Sequence, residues 1–182
     1  MCARARSLPR IRTAEPEPTT CPGCGLVRAS AARITHAYIG ASAACWELYG
    51  EVLTREYGAY ATHANHRVSV DAYAAQHPGA DGPQARRSVA MHLMRLCLVY
   101  ERGMRPAAGR EMAPLLLAQP PDLAWLRPPA DRGAVTVAAV AAAAGPDEHL
   151  VRVDDWGRAV WGAWAGHHAT VRRWLDATLA PA

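Results

Sequence analysis

The stretch that most constrains this chain is Cys21-Pro22-Gly23-Cys24-Gly25, because it reads as half of a site. A Pro-Gly turn points both thiols toward one ion, and the glycines let backbone N–H groups turn toward the sulfurs. Zinc asks for four ligands, yet no second Cys-x-x-Cys follows in the 182 residues. The missing ligands must then come from side chains that the rest of the fold carries to the knuckle. A redox pair is the second reading, and two cysteines without a special role the third. Redox pairs sit at the start of a helix beside a strand, where the dipole lowers one thiol pKa. Here Gly25 leads into an extended stretch with a short strand expected at Leu26–Arg28. That favours a metal knuckle with zinc as its cofactor.

The remaining pattern is helical. Ser42 is placed to cap a helix running through Tyr57 and stopped by Gly58, with Cys45, Leu48, Tyr49, Val52 and Leu53 on one side. A second helix is expected from about Tyr60 to His77, ended by Pro78-Gly79, and a third from Pro83 to about Arg102. Six prolines between 106 and 129 leave room only for short turns in the segment 104–135. Thr136 caps a small alanine-rich helix ending at Gly145. A single long helix is expected over 150–179, where Val153, Trp156, Val160, Trp164, His167, Val171 and Trp174 recur at three- and four-residue steps. The fold class is therefore mainly α, a helical bundle with a small N-terminal Cys-x-x-Cys zinc-knuckle element. Residues 1–20 lack periodicity and read as a loose Arg/Pro-rich tail, with 21–182 as one domain.

Four residues compete to complete the knuckle. His36, between the knuckle and the first helix, is the nearest in sequence, and its plain reading is a loop histidine. Cys45 lies in the first helical turn on the buried side, where free cysteines are common. His66 and His77 share one face of the second helix, but at 1.5 Å per residue they are roughly 16 Å apart and cannot bind one ion together. If the first two helices run antiparallel, His77 returns beside Cys45 and the knuckle, whereas His66 is carried to the far end. This geometry prefers Cys21, Cys24 and His77, with His36 or Cys45 as the fourth ligand. His77 also reads as a helix-terminal histidine favoured by the dipole. His63 and His66 are one turn apart and suit a joint site. His66, His92 and His168 are the alternative material for a second, His-lined site in the bundle, which would make the chain a metal-dependent hydrolase or transferase. His92 also reads as a hydrogen-bonded core histidine. Glu51 and Arg55, four apart, read as a surface pair.

Composition excludes several classes. The net charge is +4, but residues 1–35 hold six arginines against two glutamates, leaving 20 − 6 = 14 basic and 16 − 2 = 14 acidic residues beyond. That balance gives no basic face for a phosphate backbone, so a nucleic-acid partner is not expected. All basic residues are arginine and phenylalanine is absent, which reads as coding bias. No apolar run approaches the 20 residues of a membrane span, and the N-terminus lacks the apolar core of a signal peptide. Five cysteines, an odd number, suit a reducing cytoplasm better than a disulfide framework. There is no Gly-rich phosphate loop and no nucleophile elbow. The tryptophans of the last helix read as core or as an interface, a homodimer contact included, and the Arg-rich tail suits an adaptor or regulator.

Three stretches carry a resemblance in order: CPGCG, the CWELYGEVL of the first helix, and HRVSVDAYAAQHPG followed by HLMRLC. Together they resemble an uncharacterised bacterial family of unknown function over about residues 21–176. The resemblance implies no activity. It places Cys21, Cys24, His36, Tyr38, Cys45, His66, Asp71, Tyr73, His77 and His92 within its recurring motifs, and His63 outside them.

Overall fold

Ser42 begins the helical part of the chain by accepting the Cys45 N–H on its Oγ at 3.2 Å, which satisfies one orphan donor of the first turn. The structure is a computed structural model and describes residues 16–58, 65–106 and 123–180. The expected start of the second helix near Tyr60, His63 and the middle of the proline-rich segment lie outside the described residues. Helix α1 spans Ala43–Gly58, α2 His66–Gln76, α3 Pro83–Tyr100, α4 Val137–Ala141, α5 Pro146–Ala163 and α6 His168–Leu179. The mainly α class stands.

The helices start and stop for local reasons. Pro83 and Pro146 sit in first turns, where a missing N–H costs nothing, and Asp147 and Glu148 complement the N-terminal dipole of α5. Thr136 caps α4 through the Ala138 N–H, as expected, although α4 ends at Ala141 rather than near Gly145. The single long last helix is corrected. After Ala163 the chain tightens into a 3₁₀ turn over Ala165–His167 and restarts as α6. Buried Trp164 anchors that break by donating its indole N–H to the Ala75 carbonyl at 3.1 Å. His168 stacks on Trp161 with centroids 3.7 Å apart and donates from Nε2 to the Trp161 carbonyl. The redirected α6 can then pack against α3.

Helix α2 is the central element, packed between α3 and α5, while α1 lies against α4. Its core partners are large: Tyr73, Leu93, Leu96, Trp156 and Trp164 are fully buried. Trp156 donates its indole N–H to the Gln76 Oε1 at 3.0 Å, so the tryptophan stripe of α5 belongs to the core. Helices α1 and α2 run antiparallel, with the start of α1 beside the end of α2.

A small antiparallel hairpin precedes the helices: β1 Pro18–Thr20 pairs with β2 Val27–Ala29, Thr19 opposite Arg28. Strand β1 lies within the residues 1–20 that composition reads as the tail. Its turn is the CPGCG stretch, closed by Cys21 N–H to the Leu26 carbonyl at 2.8 Å and Gly25 N–H to the Cys21 carbonyl at 2.9 Å. Gly25 has φ +73°, a left-handed conformation that a side chain would strain. On the helix surface, Glu51 pairs with Arg28 of the hairpin, while Arg55 donates to the carbonyls of Val140 and Ala141. The expected Glu51–Arg55 pair gives way to these two longer-range contacts.

Candidate metal centre

Four side chains from three parts of the fold meet at the hairpin turn. Cys21 and Cys24 come from the knuckle, Cys45 from the first turn of α1 and His77 from the residue after α2. Their ligand atoms all lie within 4.8 Å of one another. Cys24 Sγ is 3.7 Å from Cys45 Sγ, and Cys45 Sγ is 3.4 Å from His77 Nε2. A disulfide needs about 2.05 Å, so these sulfurs are not bonded to each other. For a tetrahedron with Zn–S near 2.3 Å and Zn–N near 2.05 Å, the edges are about 3.8 Å for S···S and about 3.5 Å for S···N. The Cys24–Cys45 and Cys45–His77 separations match those two edges, and the remaining ones lie within 4.8 Å. A cluster of three thiols and one imidazole at this spacing could hold a metal ion.

The surroundings aim the ligands. His77 donates Nδ1–H to the Tyr73 carbonyl at 2.7 Å, which turns Nε2 toward the sulfurs, the outer-shell arrangement usual for a metal-ligating histidine. Its ring stacks on Tyr73, which stacks in turn on Tyr49. The Ser42 N–H points at Cys21 Sγ from 3.5 Å, and the Tyr73 hydroxyl at Cys45 Sγ from 3.6 Å. Cys21, Cys45 and His77 are buried and Cys24 is half-buried. Arg132 was not singled out in the sequence, yet it lies close enough to the knuckle to feel the charge of Cys21 and Cys24. Burial lowers its pKa and those two sulfurs oppose the shift.

Protons in this cluster are unevenly held. Hydrogen bonds from the Cys24 and Cys45 thiols lower the Cys21 pKa far below the usual thiol range. The same contacts, with Cys21 first, raise that of Cys45, because a second thiolate would sit against the first. Burial alone would lower the His77 pKa, but hydrogen bonds to Cys21 and Cys24 outweigh it and raise the value to about 9. A divalent cation resolves this crowding by taking the place of the protons.

The other candidates lie elsewhere. His36 packs its ring against Tyr38 and Trp46, at centroid distances of 4.3 and 5.2 Å, and does not join the cluster. Cys45 takes the fourth place instead. His66 lies at the far end of α1, bonded to Glu56 at 2.8 Å, as antiparallel packing requires.

A family model described as a family of unknown function, DUF5946, matches residues 19–165. The chain belongs to that family. No curated protein and no solved structure gives a significant match. The matched span contains all four clustered residues together with the helices that carry them.

Two buried polar groups complete the inventory. Glu56, fully buried at the end of α1, accepts from His66 Nδ1, from His149 Nε2 at 3.0 Å and from the Ser69 hydroxyl. Asp71 accepts from His92 Nδ1 at 2.7 Å and pairs with Arg95 at 3.5 Å. The alternative second site of His66, His92 and His168 is not assembled: the three face Glu56, Asp71 and Glu101 respectively. Glu56 and His149 escaped the sequence reading because nothing local marks two polar residues 93 positions apart as partners.

Proposed function

We propose that the chain is a zinc-stapled helical protein of the reducing cytoplasm, in which a structural ion held by Cys21, Cys24, Cys45 and His77 fastens the hairpin to the bundle. Three sulfurs and one imidazole are a donor set that suits zinc, and four protein ligands leave no open position for a substrate. The observation that carries this reading is how little else holds the hairpin. Strands β1 and β2 are three residues each and expose almost every side chain, and a two-stranded hairpin of that kind is marginal alone. The Arg28–Glu51 ion pair and the Ser30–Glu47 hydrogen bond are exposed and weak. A cluster of this kind works only with its thiols reduced, which supports the cytoplasmic assignment.

Chelation tests the reading. Stripping metal from the purified chain should lower the melting temperature and open residues 18–29 to amide exchange before α3 or α5. Unchanged melting and unchanged exchange in the hairpin after chelation would sink it.

A further inference from the structure

The three sulfurs of the cluster are not equivalent. Cys21 and Cys45 are buried, whereas Cys24, in the hairpin turn, is half-buried and open to small solutes. The Ser42 N–H points at Cys21 Sγ and the Tyr73 hydroxyl at Cys45 Sγ. A donor bonded to a thiolate lowers its pKa and, with it, its nucleophilicity. Among the described residues no backbone N–H and no hydroxyl donates to Cys24 Sγ, which lies 3.7 Å from Cys45 Sγ. Three thiolates on a divalent cation keep the loaded cluster negative, so its sulfurs remain nucleophiles. Exposure and the missing donor select the same one of them.

We propose that Cys24 is an oxidative modification site, through which peroxide converts the metal staple into a Cys24–Cys45 disulfide. The inference rests on the structural-metal reading above. Cys24 Sγ attacks hydrogen peroxide: an S–O bond forms, the O–O bond breaks, and the leaving hydroxide takes a proton from solvent. The sulfenic acid on Cys24 then meets Cys45, whose Sγ need close by only about 1.7 Å to reach bonding distance. Cys45 Sγ attacks Cys24 Sγ, the S–S bond forms, the S–O bond breaks, and a second hydroxide leaves as water. Two thiolates are oxidised by two electrons and one peroxide is reduced to two waters.

The bridge removes two of the four ligands, so Cys21 and His77 are left to release the ion to solvent. The hairpin stays tied to α1 while the end of α2 is let go. The carbonyl of His77 accepts the Gly40 N–H at 2.8 Å, beside a bridge between Ile39 and Pro78, so the change reaches that contact. Cys97 is an internal control: it is buried, and burial pushes its thiol up to about 11.

The test treats the full zinc-loaded chain with an equimolar amount of hydrogen peroxide. A chromophoric chelator reads zinc release, and mass spectrometry maps the cysteines, with dimedone in a parallel sample to trap sulfenic acid. Loss of the bound zinc in step with a Cys24–Cys45 bridge is expected, with dimedone on Cys24, Cys97 unmodified and faster amide exchange at Gly40. Dithiothreitol followed by zinc should restore the loaded chain. Zinc retained under peroxide, first modification at Cys21, Cys45 or Cys97, or a bridge that omits Cys24 would overturn the proposal and leave the structural zinc standing. A folded chain that takes up no zinc would overturn the metal reading and this inference with it.

Discussion

Cys45 Sγ lies 3.4 Å from His77 Nε2, although 32 residues separate the two in the chain. One opens α1 and the other closes α2, so their meeting fixes the antiparallel return of the second helix and the place of the knuckle at once. A metal ion there would join three elements that otherwise touch through few side chains. The consequences extend beyond the ligands.

Gly23 is the first of them. A Cβ at this position would run into the His77 ring and lie 2.9 Å from the Gly40 carbonyl. Gly23→Ala should therefore push His77 off the cluster while leaving all four ligands in the sequence. Zinc affinity should fall by at least tenfold, and stability by about 1–3 kcal/mol, the usual cost of overpacking. Competition with a chromophoric chelator and thermal melting would measure both, and wild-type values in both would show that the close approach is relieved at no cost.

Proton release gives a second handle. In the metal-free cluster Cys45 keeps its proton and His77, raised to about 9, is an imidazolium at neutral pH. Metal and proton compete for the same lone pairs, so acid must weaken binding. Zinc uptake at pH 7 should release about two protons from these two groups, and affinity should rise about a hundredfold per pH unit between about pH 6 and 8. Calorimetry in buffers of differing ionisation enthalpy would count them. A pH-independent affinity would contradict the assignment of these two residues as ligands.

The Glu56 group predicts a separation of stability from metal binding. Glu56→Ala would strand the donors of His66, His149 and Ser69 in a buried place, a loss of about 3–5 kcal/mol. Glu56→Gln, which keeps one acceptor, should cost less. Cys45 sits eleven residues away at the other end of α1, roughly 16 Å along the axis, so metal content per folded chain should be unchanged. Denaturant unfolding with metal analysis would check this, and zinc loss in the glutamine variant would show that the two sites are coupled.

How much of this was legible follows from the range of each signal. The knuckle, the Ser42 and Thr136 caps and the helix-opening prolines are local, and spacing alone locates them. Helix arithmetic went one step further: it excluded His66 and His77 as joint ligands and placed His77 near Cys45 once the helices were taken as antiparallel. His36 was an attractive fourth ligand through nearness in sequence, but its ring is taken by Tyr38 and Trp46. The break between α5 and α6 was invisible because the apolar period continues through it, with Trp164, Val171 and Trp174 buried on both sides. The Glu56–His149 and Asp71–His92 pairs depend on how whole helices pack, and no short window of sequence carries that information.

The most direct test of the central claim is the metal content of the purified chain, by elemental mass spectrometry, for wild type and for Cys21→Ser and Cys45→Ser. The account predicts about one zinc per wild-type chain and a clear loss in both variants. No metal in a folded wild-type chain, or zinc retained equally in both variants, would contradict it.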